Sequence, residues 1–407
     1  MASTLKLNPA RKTIVGVQYL FVAFGATVLV PLLVGLDPST ALFSAGVGTL
    51  IFHLVTQGKV PIFLGSSFAF IAPIIKATEL YGLQGALFGI IGVALVYMLM
   101  SLLIRLWGTK FIKKLFPPIV IGPIIMLIGL SLSGAAVNMA AQNWTLAVIS
   151  LAVAIVVTLY SKGLLKLIPI FCGIVVGYIC DIIFFEVDFT PIAEASWLSL
   201  PQLVLPDKWS WEPILFMIPV AIAPVIEHIG DVYVVNSVAE KDFVKDPGLH
   251  RTMLGDGLAC LFAGCIGAPP VTTYSEVTGA MSLTKVTDPV VLRIAAVTGI
   301  VFSMVGKVSS LLKSIDQAVL GGIMLLLFGT IAGAGISNLL NSKVNFGSSR
   351  NVVILSVTLT TGIGGAVLQF GNFSLQGIGL SAIVAVTLNL ILPQSAEDYK
   401  HDKAGVA

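Results

Sequence analysis

Residues 60–76 read Val60-Pro61-Ile62-Phe63-Leu64-Gly65-Ser66-Ser67-Phe68-Ala69-Phe70-Ile71-Ala72-Pro73-Ile74-Ile75-Lys76. The run is apolar enough for a bilayer, yet Pro61, Gly65-Ser66-Ser67 and Pro73 break it into pieces too short for one plain helix. About 200 residues further on the pattern returns, with Gly267, Pro269-Pro270 and Thr272-Thr273-Tyr274-Ser275 interrupting another short apolar segment. Irregular backbone at membrane depth survives only where protein or a water-filled cavity satisfies its polar groups. Two interrupted segments in corresponding positions of two halves point to a binding site near the midplane of a secondary transporter.

Composition places these segments in a membrane protein. Of 407 residues, 57% are hydrophobic and 11% charged, against roughly 25% charged in a soluble domain, and the mean hydropathy is +1.00. A soluble enzyme, a secreted disulfide scaffold and a disordered chain are excluded. The net charge of +3, with no basic stripe carrying interleaved aromatics, excludes a nucleic-acid partner. Cys172, Cys180, Cys260 and Cys265 lie in apolar runs without metal-ligand spacing and read as small embedded hydrophobes, so no metal or other cofactor is expected. The polar, basic Met1 to Lys12 is not followed by a small-residue cleavage site, so the first apolar run reads as a retained span.

The expected fold class is an all-α polytopic membrane protein of fourteen spans. They fall near 14–34, 40–56, 62–76, 85–106, 117–136, 145–160 and 166–185, then 213–238, 252–266, 269–284, 288–306, 317–338, 350–367 and 374–393. Between the sets, Glu186 to Trp211 is the longest polar stretch and reads as an extramembrane linker. With both termini cytoplasmic, nineteen of the 23 Lys and Arg residues fall inside, leaving Lys76, Lys208, Lys307 and Lys313 outside, as the positive-inside rule requires. Ile121-Gly122-Pro123-Ile124-Ile125-Met126-Leu127 and Leu320-Gly321-Gly322-Ile323-Met324-Leu325-Leu326 correspond at an offset of 199, the same offset that relates the first spans of the two sets. Seven is odd, so a duplicated seven-span unit re-enters the membrane from the opposite side, as an inverted repeat.

Few ionisable groups lie inside these spans. Glu227 and Asp231, in Val225-Ile226-Glu227-His228-Ile229-Gly230-Asp231, share one helical face at i,i+4 spacing. Glu276 lies in the second broken segment and Asp256 near the start of the ninth span. A charge in a span costs at least ~2.5–3.5 kcal/mol, so by default it faces a cavity and has a function. One turn apart in a low-dielectric site, Glu227 and Asp231 cannot both ionise easily and are expected to share a proton. His228 points about 100° away and reads as a packed histidine, while His53 has no acidic neighbour in sequence. Phe68 and Phe70 alternate as on a strand, and one of them is a candidate for ring stacking. There is no His-Glu-x-x-His, Gly-x-Ser-x-Gly or Walker A loop and no Arg-rich span, so an enzyme, an ATP-driven pump and a voltage sensor are not expected.

At these residues the chain resembles the nucleobase–ascorbate transporter family and, within it, the bacterial uracil permeases. The resemblance runs from Val17-Gln18-Tyr19 through the last span and is most specific at Leu64 to Phe70, Glu227 to Asp231, Asp246-Pro247-Gly248-Leu249-His250-Arg251 and Thr272 to Glu276. The family signature (Gln/Glu/Pro, Asn, any, Gly, four of any kind, Thr, Arg/Lys/Gly) reads here from Glu276 to Lys285, with Val277 in place of the asparagine. Tyr19 replaces a frequent histidine, Ser275 a usual glycine, and Asp231 stands where some uracil permeases have histidine.

The resemblance implies two inverted seven-span repeats, with short strands in spans three and ten. It implies a core domain from 1–110 and 206–315, and a gate domain from 111–205 and 316–407. It further implies substrate binding by Glu227, Glu276 and the backbone amides of Phe68 and Ser275, a proton as the coupling ion, and a homodimer in the lipid of the inner or plasma membrane; the buried acids themselves make Asp231, Glu227 or Asp256 the candidates for holding that proton. Uracil alternates carbonyl acceptors with N–H donors, which suits two carboxylates facing two helix starts. The expected function is proton-coupled import of uracil by alternating access. The alternatives are a xanthine or other purine permease, an anion transporter of similar architecture, or a passive channel; anions would want Arg, Lys or bare helix starts in place of these acids.

Overall fold

The computed structural model describes residues 8–393, apart from 109, 164, 186, 207, 208, 371 and 372. Lys6, Lys400 and Lys403 near the chain ends, and Glu186, Asp207 and Lys208 of the expected linker, lie outside the described residues.

The first half opens with α1 (Pro9–Val34) and α2 (Pro38–Val55), each with proline at its first position and a capping side chain, Asn8 and Asp37 respectively. A short strand β1 (Leu64–Ser66) and one 3₁₀ turn (Phe68–Phe70) lead into α3 (Ile71–Trp107). The two spans expected at 62–76 and 85–106 are thus a strand followed by one long element, whose two helical stretches join at Gly82 with φ 73° and ψ 170°. Glycine takes that conformation without a Cβ penalty, which explains why the polar residues before it do not open a loop. Then follow α4 (Lys110–Leu115), α5 (Pro118–Ser131), α6 (Ser133–Ala140), α7 (Trp144–Tyr160), α8 (Pro169–Phe184) and the short α9 (Thr190–Glu194).

The second half begins with α10 (Trp211–Met217) and α11 (Ile222–Ala239), bent by 46° across their break. It continues with α12 (Leu249–Ile266), β2 (Val271–Thr273), α13 (Ser275–Thr284), α14 (Pro289–Ser303), α15 (Gly306–Lys313), α16 (Gln317–Asn341) and α17 (Ser349–Ile363). An antiparallel pair, β3 (Val367–Phe370) and β4 (Phe373–Gln376), precedes α18 (Gly377–Ile391). These two strands occupy the boundary expected between the last two spans and have no counterpart in the sequence reading. Among the described residues five helical segments are long and apolar enough to cross a membrane, or six if the bent pair counts as one; α7, α8, α14 and α18 are apolar but shorter.

The helices pack in two groups. One gathers α1, α2 and α3 with α12 and α14, and the other gathers α5, α6, α7 and α8 with α16, α17 and α18. The segments that correspond at the 199-residue offset lie in α5 and α16, which touch directly: a Cβ on Gly129 would strike the Phe328 carbonyl and the Ala332 nitrogen. The linker does not hang free. Ser199 N donates to Met304 O (2.9 Å), Gly306 N to Trp197 O (3.3 Å) and Val204 N to Ile266 O (3.1 Å), which bind it along the ends of α12 and α14.

Candidate functional site

The site is built where β1 meets β2. The strands pair antiparallel, Leu64 opposite Thr273, Gly65 opposite Thr272 and Ser66 opposite Val271, and all six residues are buried. Pro61, Pro269 and Pro270 flank the pair and limit its length, because proline has no N–H to extend a ladder. Side chains satisfy the outer edges: Leu64 N donates to Thr49 Oγ1 (2.9 Å), and Cys260 Sγ donates to Val271 O (3.0 Å). The Tyr274 hydroxyl donates to Ser66 O (2.7 Å), bringing its ring onto Gly65. A Cβ at 65 would collide with that ring and with the Thr27 hydroxyl, so the crossing needs glycine there.

Each strand runs into a helix start. Phe68 opens the 3₁₀ turn that leads into α3, and Ser275 opens α13. Among the described residues neither the Phe68 nor the Ser275 backbone N–H has an acceptor, as expected for the first orphan donors of a helix, where the partial positive charge also concentrates. Phe68 and Phe70 do not alternate on a strand, which corrects the sequence reading. Phe70 is packed in the interior and Phe68 is half-buried on the wall of a cavity.

That cavity, about 870 Å³, gathers the expected residues. Phe68, Glu227, Asp231, Ser275 and Glu276 line one side, and Ile121 and Ile125 of α5 with Thr330, Ser337 and Asn338 of α16 line the other. Glu227, Ser275 and Glu276 are open to it, whereas Asp231 is only 8% exposed. Asp231 reaches toward the second strand: its Oδ2 accepts from Thr273 Oγ1 and its Oδ1 from Ser275 Oγ, both at 2.7 Å. No hydrogen bond joins Glu227 to Asp231 among the described residues; the partners of Asp231 come from β2 and α13.

Asp256 does not reach the cavity wall. It is fully buried one layer behind, with Oδ2 2.9 Å from His228 Nδ1, while His228 Nε2 lies 2.9 Å from Thr252 Oγ1. His228 is thus the packed histidine that the sequence suggested. His53 is packed too, its Nε2 2.9 Å from Ile62 O. Tyr19 holds the far end of α13, with its hydroxyl 2.5 Å from Thr284 Oγ1 and 2.9 Å from Val286 O. The sequence reading missed Thr273, Tyr274 and Thr252 as partners; the first two stand in the hydroxyl-rich break of the second segment, which was the available signal. Among the described residues no group of three or more His, Cys, Asp or Glu suits a metal ion, and the four cysteines are free.

Several helices long and apolar enough to cross a membrane, with an acid-lined cavity open among them, suit a membrane permease. The model of the Permease family (Xan_ur_permease) matches residues 11–370, and the chain belongs to that family. It is 46% identical over 400 residues to the probable uracil permease of Pasteurella multocida (strain Pm70), covering 96% of each chain. It is 46% identical over 399 residues to the uracil permease of Bacillus caldolyticus and 39% identical over 395 residues to that of Escherichia coli (strain K12), in both cases covering 94% of this chain and 92% of the relative. The fold is similar to the transmembrane domain of a cyanobacterium bicarbonate transporter, BicA, at TM-score 0.67 and 15% identity, covering 95% of this chain and 99% of that one. It is also similar to the murine Solute Carrier 26 family member A9 anion transporter in the inward-facing state, at TM-score 0.69 and 10% identity, covering 95% and 68%.

Proposed function

We propose that this chain is a proton-coupled secondary transporter that imports uracil across the cell membrane by alternating access. The observation that carries the reading is the convergence of Glu227 and Glu276 on one cavity with the unpaired helix-start amides of Phe68 and Ser275. Carboxylates accept from the two N–H groups of the base, and amides at helix starts donate to its carbonyls. The full-length relatives named as uracil permeases support uracil as the substrate.

The mechanism needs a moving part, a fixed part and a proton. Fourteen spans form two inverted repeats. Residues 1–110 and 206–315 form the core that carries the site, and 111–205 and 316–407 form the gate; the two helix groups support this division. The cavity wall runs from the crossing strands to Tyr233 and Val234 of α11 and Asn341 at the end of α16, the ends that this topology puts on the inner side. Protonation of the site carboxylates, Glu227 and Asp231 at the wall or Asp256 behind them, removes a buried charge before the core moves. Uracil enters neutral, so net transport is electrogenic. Two copies form a homodimer in lipid, with both termini cytoplasmic.

The test is uptake of radiolabelled uracil into proteoliposomes under an imposed inward proton gradient, with unlabelled bases as competitors. Accumulation that a protonophore abolishes and that purines do not compete away is the expected result. Equilibration without accumulation would make the protein a channel. Displacement of uracil by xanthine at equal concentration would make it a purine carrier. The anion transporters of similar fold raise a further reading, against which stand the carboxylates that line this cavity.

A further inference from the structure

Behind the cavity wall lies a layer whose histidine the proposed cycle does not use. His228 is fully buried, as are Asp256 and Thr252 of α12 and Tyr97 of α3. Nδ1 lies 2.9 Å from Asp256 Oδ2, and two bare lone pairs would repel at that distance, so a proton lies between them. Nε2 lies 2.9 Å from the Thr252 hydroxyl, which also lies 2.9 Å from Leu249 O.

The groups that face this unit are all acids or weaker. The Tyr97 ring of α3 stands perpendicular to the imidazole with centroids 6.4 Å apart, and its hydroxyl is unpartnered among the described residues. Cys260 lies one turn further along α12 from Asp256. Glu227 and Asp231 lie on the same helix as His228, and Glu276 of α13 lies beyond them. No Lys or Arg pairs with any of these carboxylates among the described residues. Among the described residues, the His228 ring is the side chain hydrogen-bonded to Asp256.

We propose that His228 is a positioning residue of this transporter: hydrogen-bonded to Asp256 and to Thr252, it locks α11 onto α12 in the rotation that turns Glu227 to the cavity. The lock reaches the strands as well, since Cys260 of α12 donates to Val271 of β2. Its effect on uracil rests on the function proposed above; the lock itself does not.

Without His228, the buried Asp256 loses its side-chain hydrogen-bond partner, so its ionised form is left unpaired and its protonated form is favoured. His228→Phe should therefore bind uracil within about twofold of the wild type near pH 5 and about tenfold more weakly near pH 8, over and above any pH dependence of the wild type. Asp256→Asn in the same background should abolish that added dependence, because the amide cannot ionise. The same divergence should appear in the thermal unfolding midpoint of the purified full-length protein without substrate. Parallel pH profiles for wild type and His228→Phe, or a divergence that survives Asp256→Asn, would overturn the proposal. If His228→Phe is not recovered folded, His228→Gln should show the same divergence at smaller amplitude, and its absence there would count equally against the lock. A wild type that binds no uracil would refute the substrate reading alone, and the unfolding profiles would still decide on the lock.

Discussion

Ser275 Oγ donates to Asp231 Oδ1 across 2.7 Å, tying the first residue of α13 to the middle of α11. With Thr273 on the other oxygen, Asp231 holds the strand-to-helix junction by two hydroxyls. The aspartate therefore fixes where the Ser275 amide and the Glu276 carboxylate stand, in addition to any proton it carries.

Asp231→Asn separates these two roles. The amide keeps one acceptor, and the second hydroxyl can rotate to accept from its NH₂, so the junction should lose only about 1 kcal/mol. Uracil binding stays measurable while pH-driven uptake slows or uncouples. Uptake at the wild-type rate and pH dependence in proteoliposomes would move the coupling proton to Glu227 or Asp256.

Glu276 and Glu227 face the cavity without side-chain hydrogen-bond partners among the described residues, so truncating either removes a charged acceptor and leaves a base N–H unpaired. A hydrogen bond to a charged group contributes ~1.5–3 kcal/mol, so Glu276→Ala or Glu227→Ala should weaken uracil about 10- to 100-fold. Glu276→Gln adds a donor to the pattern presented to the base; it should weaken uracil less and let purines compete. Calorimetric titration of the alanine variants and competition profiles of the glutamine variant check the two statements separately.

Gly65→Ala places a methyl where the Tyr274 ring and the Thr27 hydroxyl stand. Overpacking of this kind costs ~1–3 kcal/mol, and the strain falls on the strand pair that carries both helix starts. A lowered unfolding midpoint together with lost stabilisation by uracil is expected. A variant with the wild-type midpoint would show that Tyr274 can move aside freely.

At the start of α14, Asp288 caps the helix through Val290 N (2.9 Å) and pairs with Lys12 of α1 at 2.6 Å. Partial burial pushes its carboxyl up, but the Lys12 ammonium and the Val290 N–H outweigh this and hold it below the ordinary carboxylate range. A depressed value stabilises the fold above the unfolded carboxyl's pKa of about 4 and is lost as pH falls through the folded one. Asp288→Ala should lower the midpoint at neutral pH by the equivalent of about 1 kcal/mol, and the difference from wild type should vanish in acid. A gap that persists at low pH would trace it to packing and not to charge.

The sequence was most legible where rare residues interrupt a common background. Carboxylates in apolar runs and prolines around Gly65 and Thr272 each stand out singly, so two broken segments and an acidic cavity could be expected from them, whereas the short strands came only from the family resemblance. The structure is silent in sequence where the answer depends on what crosses from another element. Phe68 and Phe70 look alike locally, and only the turn into α3 separates the ring on the cavity wall from the ring in the interior. Asp231 is visible as the neighbour of Glu227 because i,i+4 spacing lies within one helix, whereas its hydrogen-bond partners Thr273 and Ser275 approach from more than forty positions away. Gly82 sits in a polar stretch that reads as a loop, and the β3–β4 hairpin leaves no signal beyond the end of one apolar run.

The pairing of Leu64–Ser66 with Val271–Thr273 also sets an order of events during synthesis. The first strand leaves the ribosome about 200 residues before its partner exists. In that interval its backbone donors and acceptors have no mate at membrane depth, apart from those that Thr49 can take from the neighbouring helix. The nascent first half therefore has to wait with this segment in water or against the insertion machinery. The strand pair closes only after Val271–Thr273 has been made, and the facing wall on α16 comes later still, so the first half alone cannot form the ligand site.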